Sequence, residues 1–232
     1  MQQKTQNRRA FIGKSMQLAT AGIVFAGCNS CNKDEEKEVS PPEDLMQEHG
    51  LLNRILLIYD TCRLHLVNND HFAMEALNNA AGIVQTFVED YHEKQEEDYL
   101  FPRFKKANKL TDLVQTLLQQ HQAGRVITSQ VLQLTKGASL NNTDAQRLAI
   151  LLNNFNIMYR PHEAREDTVL FPAFRKIVSR HEYDSLGEEF EKNEQKKFGK
   201  DGFETMVNNV AGIEKKLGIY DLAQFTPTIR GF

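Results

Sequence analysis

Two stretches of this chain are near-copies of one another: His92–Phe104, HEKQEEDYLFPRF, and His162–Phe174, HEAREDTVLFPAF. Each holds a His with a Glu beside it, a second Glu four residues after the His, an acidic residue next, and Leu-Phe-Pro-x-Phe to close. On an α-helix four residues advance about 400°, so His92 and Glu96 stand within ~40° of one another and ~6 Å apart along the axis. His162 and Glu166 repeat that geometry. An imidazole and a carboxylate on one helical stripe are two metal-ligand types aimed at one point. Two such helices facing each other would offer two His and two carboxylates to a shared site.

The flanking sequence is helical in its spacing. Ser40-Pro-Pro-Glu43 supplies an N-cap, a first-turn proline and a capping-box acid. Leu45, His49, Leu52, Leu56, Tyr59 and Leu66 then follow at helical intervals, so a first helix is expected to about Val67. Asn68-Asn69-Asp70 reads as a turn, with Asp70 capping a second helix that ends near Leu100–Phe104, where Pro102 disturbs it. A third helix is expected from Thr111 to Gly137, and a fourth, capped by Thr143, is expected to kink at Pro161 just before His162. Short connections between long helices imply antiparallel neighbours. The expected fold is all-α: an up-down-up-down four-helix bundle over residues 41–178, with additional C-terminal helices in 179–232. Within that extension helices are expected at 184–197 and 202–217, and a tail carrying Ile219, Tyr220, Leu222 and Phe225 is expected to dock on the bundle.

Depth along the bundle supports one centre. His49 and His92 lie at similar distances from the first turn, and His121 and His162 at similar distances from the last. His49 and His121 are 72 residues apart, close to the offset of 70 between the motif histidines. Four of the seven histidines therefore sit on core stripes of four helices at one level. A core burying four imidazoles and two carboxylates with no ion would cost several kcal/mol for each unpaired carboxylate. The metal-ligand candidates are His49, His92, Glu96, His121, His162 and Glu166. Glu48, Glu93, Glu97, Gln120, Glu163 and Asp167 adjoin them and could orient imidazole N–H groups, but for most of these a solvated helix face is expected. Tyr59, Tyr91 and Tyr159 are expected in the core, Cys62 as a buried apolar thiol, and His65, His71 and His181 at the surface.

The first 40 residues read differently. Arg8 and Arg9, then Phe11 and Ile12, precede an apolar run from Met16 to Phe25 that ends in Ala26-Gly27-Cys28. The run is shorter than the ~20 residues a spanning helix needs, and its order is that of an export signal. Residues 1–27 are expected to be a twin-arginine-like signal peptide, with Cys28 the lipidated first residue of a tether over 28–40. That places the chain in the periplasm or cell envelope, held to a membrane. With a net charge of −3 and no basic face interleaved with aromatics, nucleic acid is not an expected partner.

The series His49, His92-x-x-x-Glu96, His121, His162-x-x-x-Glu166, with its doubled Leu-Phe-Pro-x-Phe ending, resembles the hemerythrin-like family, the HHE cation-binding domain. The resemblance covers residues 41–178. It implies two non-haem iron ions in a four-helix bundle, bridged by the carboxylates of Glu96 and Glu166, with the four histidines as terminal ligands. It implies dioxygen or nitric oxide as ligands at open iron positions, for sensing, scavenging or iron handling; the alternative is an enzyme that reduces nitric oxide or peroxide, or oxidises iron. Oxygen-carrying members have a further His where this chain has Arg125, and a carboxylate five residues after the last His, where Glu166 is at four and Asp167 at five. The four-His, two-Glu set is more similar to the iron-centre-repair and sensing branch.

Overall fold

The computed structural model describes residues 40–137 and 140–228; the expected signal and the tether up to residue 39 lie outside them. Every regular element among the described residues is helical. Helix α1 is Pro41–Asn68, opened by the Ser40 N–H donating to Glu43 Oε2 at 2.9 Å and closed by Asn69 in the left-handed conformation. Helix α2 covers residues 74–107, α3 is Thr111–Thr135 and α4 covers residues 142–174. Helices α5, Arg180–Phe198, and α6, Gly202–Lys216, follow, with a short 3₁₀ turn at Leu222–Phe225.

The first four helices pack side by side as a helical bundle, and their side-chain bonds give the directions. Along α1, Asn53 reaches Glu163 of α4, while Leu56 O accepts from Asn156 further back along α4. Asn78 near the start of α2 meets Thr135 at the end of α3, and Glu97 near the end of α2 meets His121 nearer the start of α3. Both pairs run in opposite directions. Helix α6 is fastened to α1 by Arg54, whose Nε and Nη2 donate to the two carboxylate oxygens of Glu214 at 2.9 and 2.5 Å. It is fastened to α5 by Glu194 Oε1, which accepts from the Phe203 N–H at 2.7 Å.

Several local expectations are corrected. Asp70 caps nothing: α2 begins at Met74 after an extended Ala73. The fourth helix is capped by Asn141 rather than Thr143, its side chain accepting from the Asp144 N–H at 2.9 Å. α2 does not end at Pro102 but runs on to Ala107. A proline ring clashes with the carbonyl four residues back and donates no bond to it. Just ahead of Pro102 the turn is wide: Glu96–Leu100 is π-helical, with the Phe101 N–H returning five residues to Glu96 O, as Val84–His92 earlier in the helix is also π-helical. The second copy does the same before Pro172, over Glu166–Leu170, with the Phe171 N–H bonded to Glu166 O. Pro161 lies inside the α-helical stretch Asn142–Arg165, and the change of winding in this helix falls after His162. In the tail, Ile219 packs against the core, whereas Tyr220, Leu222 and Phe225 are exposed.

The apolar core comes in two parts. One gathers Ile55, Tyr59, Leu77, Phe87, Val131, Leu152 and Phe155 with residues of α6. The other gathers Leu45, the Leu and Phe residues of both Leu-Phe-Pro-x-Phe segments, Val114, Leu117, and Leu186 and Phe190 of α5. Along each of the four bundle helices the stretch between the two parts carries one of the candidate histidines. The bundle is thus a polar layer held between two hydrophobic plugs.

Candidate metal centre

All six candidate side chains turn into that layer. His49, His92, His121 and His162 are at most 4% exposed, and Glu96 and Glu166 are 0% exposed. Ligand atoms of Glu96, His121, His162 and Glu166 lie within 4.8 Å of one another, as do those of His49, His92 and Glu96. The carboxylates sit between the histidines of different helices. Glu96 Oε2 is 4.0 Å from His92 Nε2 and 3.5 Å from His121 Nε2. Glu166 Oε2 is 3.2 Å from His162 Nε2 and 3.4 Å from His49 Nε2. Each glutamate therefore faces one imidazole of its own helix and one of another.

Every imidazole is held from behind. Nδ1 of His49 donates to Asp167 Oδ1 at 2.8 Å, Nδ1 of His92 to Glu48 Oε2 at 2.8 Å, Nδ1 of His121 to Glu97 Oε1 at 3.1 Å and Nδ1 of His162 to Gln120 Oε1 at 2.8 Å. An acceptor at Nδ1 fixes the proton there and leaves the Nε2 lone pair for the centre. The acceptors sit beside candidate ligands in sequence but serve a His on another helix. Phe101 stacks on His121 and Phe171 on His49, both with ring centroids 5.6 Å apart, so the first Phe of each motif copy closes the layer from one side. This role for the paired phenylalanines, and the pairing of each acceptor with its His, were not legible in the sequence.

A second network backs His121. The Tyr159 hydroxyl donates to Glu93 Oε1 at 2.6 Å, and Arg125 Nη2 donates to Glu97 Oε1 at 2.7 Å while pairing its charge with Glu93 Oε2 at 2.6 Å. Burial pushes the Glu93 carboxyl up to about 8. Burial also raises Glu97, but His121, Lys94 and Arg125 outweigh it and hold that carboxyl at about 2. Glu93, Glu97 and His121 also group closely enough to suit a cation, and the Arg125 guanidinium already supplies the positive charge there. Tyr159 reaches Glu93 only because residue 124 is glycine: a Cβ there would lie 2.1 Å from the hydroxyl. On the opposite side Asn53 donates to Glu163 Oε2 at 2.5 Å, and burial pushes Glu163 up to about 8. The solvated face expected for most of these six neighbours is corrected, and the alternative of orienting an imidazole holds for Glu48, Glu97, Gln120 and Asp167: Glu48, Glu93 and Glu163 are buried, and Glu97, Gln120 and Asp167 are partly buried. Tyr59 and Tyr91 lie in the apolar core, as does Cys62, whose thiol burial pushes up to about 12.

The centre's own electrostatics fit a cation. Neither oxygen of Glu96 or of Glu166 has a hydrogen-bond partner, nor does His121 Nε2. Nε2 of His49 and Nε2 of His92 face each other at 3.1 Å. Two neutral imidazoles protonated at Nδ1 would repel there; two nitrogens about 2.1 Å from one ion and at right angles would lie about 3 Å apart. Burial lowers His92 and pushes His121 down to about 4, so both present lone pairs. Burial lowers His49 too, but Asp167, Glu166 and Glu96 outweigh it and raise it well above its ordinary value. Burial and the charge of Glu166 raise Glu96, whereas His162 and His49 overcome burial and hold Glu166 down.

The family model of the hemerythrin HHE cation-binding domain matches residues 40–174. The chain belongs to that family. An uncharacterized protein of Mycobacterium bovis is 48% identical over 200 residues, covering 84% of this chain and 77% of its own length. Uncharacterized proteins of two Mycobacterium tuberculosis strains match to the same extent. No solved structure matches. As a hemerythrin HHE domain the chain is a metal-binding protein, with iron the metal implied. The matched residues are those of α1–α4, so α5 and α6 lie outside the HHE domain proper.

A cavity of about 430 Å³ adjoins the layer between α3 and α4. Leu113, Leu117, Gln120, Pro161, His162 and Arg165 are among its lining residues, so a candidate ligand and its Nδ1 acceptor form part of its wall.

Proposed function

We propose that the protein holds two iron ions, one at His49 and His92 and the other at His121 and His162, with Glu96 and Glu166 shared between them in an up-down four-helix bundle. Bound there, the pair of ions supplies open coordination positions and a change of oxidation state, which suit dioxygen or nitric oxide as the ligand. The observation that carries this reading is the orientation of the four imidazoles. Each has its Nδ1 tied outward to an acceptor, and each turns Nε2 towards a glutamate that has no hydrogen-bond partner. Four protein donors per ion leave an octahedral shell incomplete, which favours ligand binding over a purely structural metal. The test is anaerobic loading with ferrous iron followed by dioxygen or nitric oxide. A stoichiometric, reversible absorption change is expected; no change with either gas would sink the reading, and steady consumption of nitric oxide or peroxide would make the protein an enzyme.

The proposal extends to location. Among the described residues no helix is long and apolar enough to cross a membrane. The proposed attachment is a lipid on Cys28, behind a signal ending at residue 27. Cys28→Ser is expected to move the protein from the membrane fraction to the soluble fraction. A variant that still sediments with membranes would refute the anchor.

A further inference from the structure

The two histidine pairs are related by the internal repeat, but they are not backed alike. Behind His49 and His92 stand two carboxylates, Asp167 and Glu48, both at 2.8 Å. Behind His162 stands the neutral amide of Gln120, the counterpart of Glu48 in the repeat. Behind His121 stands Glu97, at the longer distance of 3.1 Å. The oxygen it offers is shared with Arg125 Nη2 at 2.7 Å, and its other oxygen is held by Lys94. A carboxylate accepting from Nδ1 makes an imidazole a stronger donor at Nε2, and loss of such a partner typically costs 10–100-fold in metal affinity. An amide confers less of this, as does a carboxylate whose charge is already met by a guanidinium and an ammonium. Those two cations also stand on the His121 side and oppose a further positive charge there. Each shared glutamate faces one His of each pair and both stand slightly nearer the His121 and His162 pair, so the inequality is carried by the groups behind the imidazoles and not by the glutamates.

We infer that the two metal positions are unequal: the one at His49 and His92 binds tightly and fills first, and the one at His121 and His162 binds weakly and empties first. This rests on the two-ion reading above. The cavity beside His162 and Gln120 puts the weaker position on the side where a small molecule or a chelator can approach. Gln120 and Arg125 are the residues that set the inequality, acting through the histidines rather than on the metal.

Titration of the metal-free full chain with cobalt(II) against a competing chelator reads both positions by absorbance. Two steps separated by about tenfold or more are expected. Glu48→Gln is expected to weaken the tight step by about 10–100-fold. Gln120→Glu is expected to strengthen the weak step and draw the two together, a gain that misfolding cannot imitate. Two equal steps in the unaltered protein, or a weak step that Gln120→Glu leaves unmoved, would overturn the inference. Saturation at one ion per chain is a separate result that removes the two-ion reading itself.

Discussion

Chelating the metal is expected to lower the melting temperature of this protein by roughly 8–16 °C for each ion that it holds. Each ion present at about a thousandfold over its Kd stabilises the folded chain by about 4 kcal/mol, and in a domain of this size 1 kcal/mol is worth about 2–4 °C. The structure explains why the folded state needs the ion. Glu96 and Glu166 are fully buried with no hydrogen bond to any of their four oxygens, between histidines whose lone pairs also point inward. Differential scanning calorimetry of the loaded protein, with and without chelator, gives the shift directly. Coincident curves would mean that these six side chains hold no metal that matters to the fold.

Glu96→Gln should act in opposite directions on the two forms. In the loaded protein it removes a shared anionic ligand, and the variant is expected to purify with at least one ion fewer per chain. In the metal-free protein it removes a carboxyl that must either take up a proton or bury its charge, and stability is expected to rise by on the order of 1–3 kcal/mol. Glu166→Gln is expected to lose metal as well, but to destabilise the metal-free form rather than stabilise it, because His162 and His49 hold the Glu166 carboxyl below its ordinary value and its charge is favourable there. Metal analysis paired with thermal melts separates these effects. A variant that keeps its full metal content would overturn the assignment of that glutamate. A Glu96 variant that destabilises both forms equally would mark Glu96 as a packing residue only.

Cross-helix hydrogen bonds are what the chain's linear order concealed. Asp167 follows Glu166 yet serves His49, 118 positions away. Glu48 precedes His49 yet serves His92, and Gln120 precedes His121 yet serves His162. Read locally, each is a charged or polar residue on a helix face, which is ordinarily solvated. Arg125 is similar: in sequence it only fills a position where oxygen carriers have a His, whereas in space it joins Glu93 to Glu97 behind His121. Pro102 misled for a related reason. A proline signals a helix end in isolation, but here the packing of Phe101 on His121 and of Phe104 on Phe174 keeps the helix going through a widened turn.

By itself the amino-acid order determined the repeated His-x-x-x-Glu, the helical stripe that puts each such pair on one face, and the common depth of His49, His92, His121 and His162. These follow from the 3.6-residue turn, a local property that needs no neighbour. Only the tertiary structure decided which acceptor stands behind which imidazole, where the phenylalanines close the layer, and which histidine pair has the neutral backing. Those contacts join residues far apart in the chain, and their partners are chosen by how four helices rotate and settle against one another.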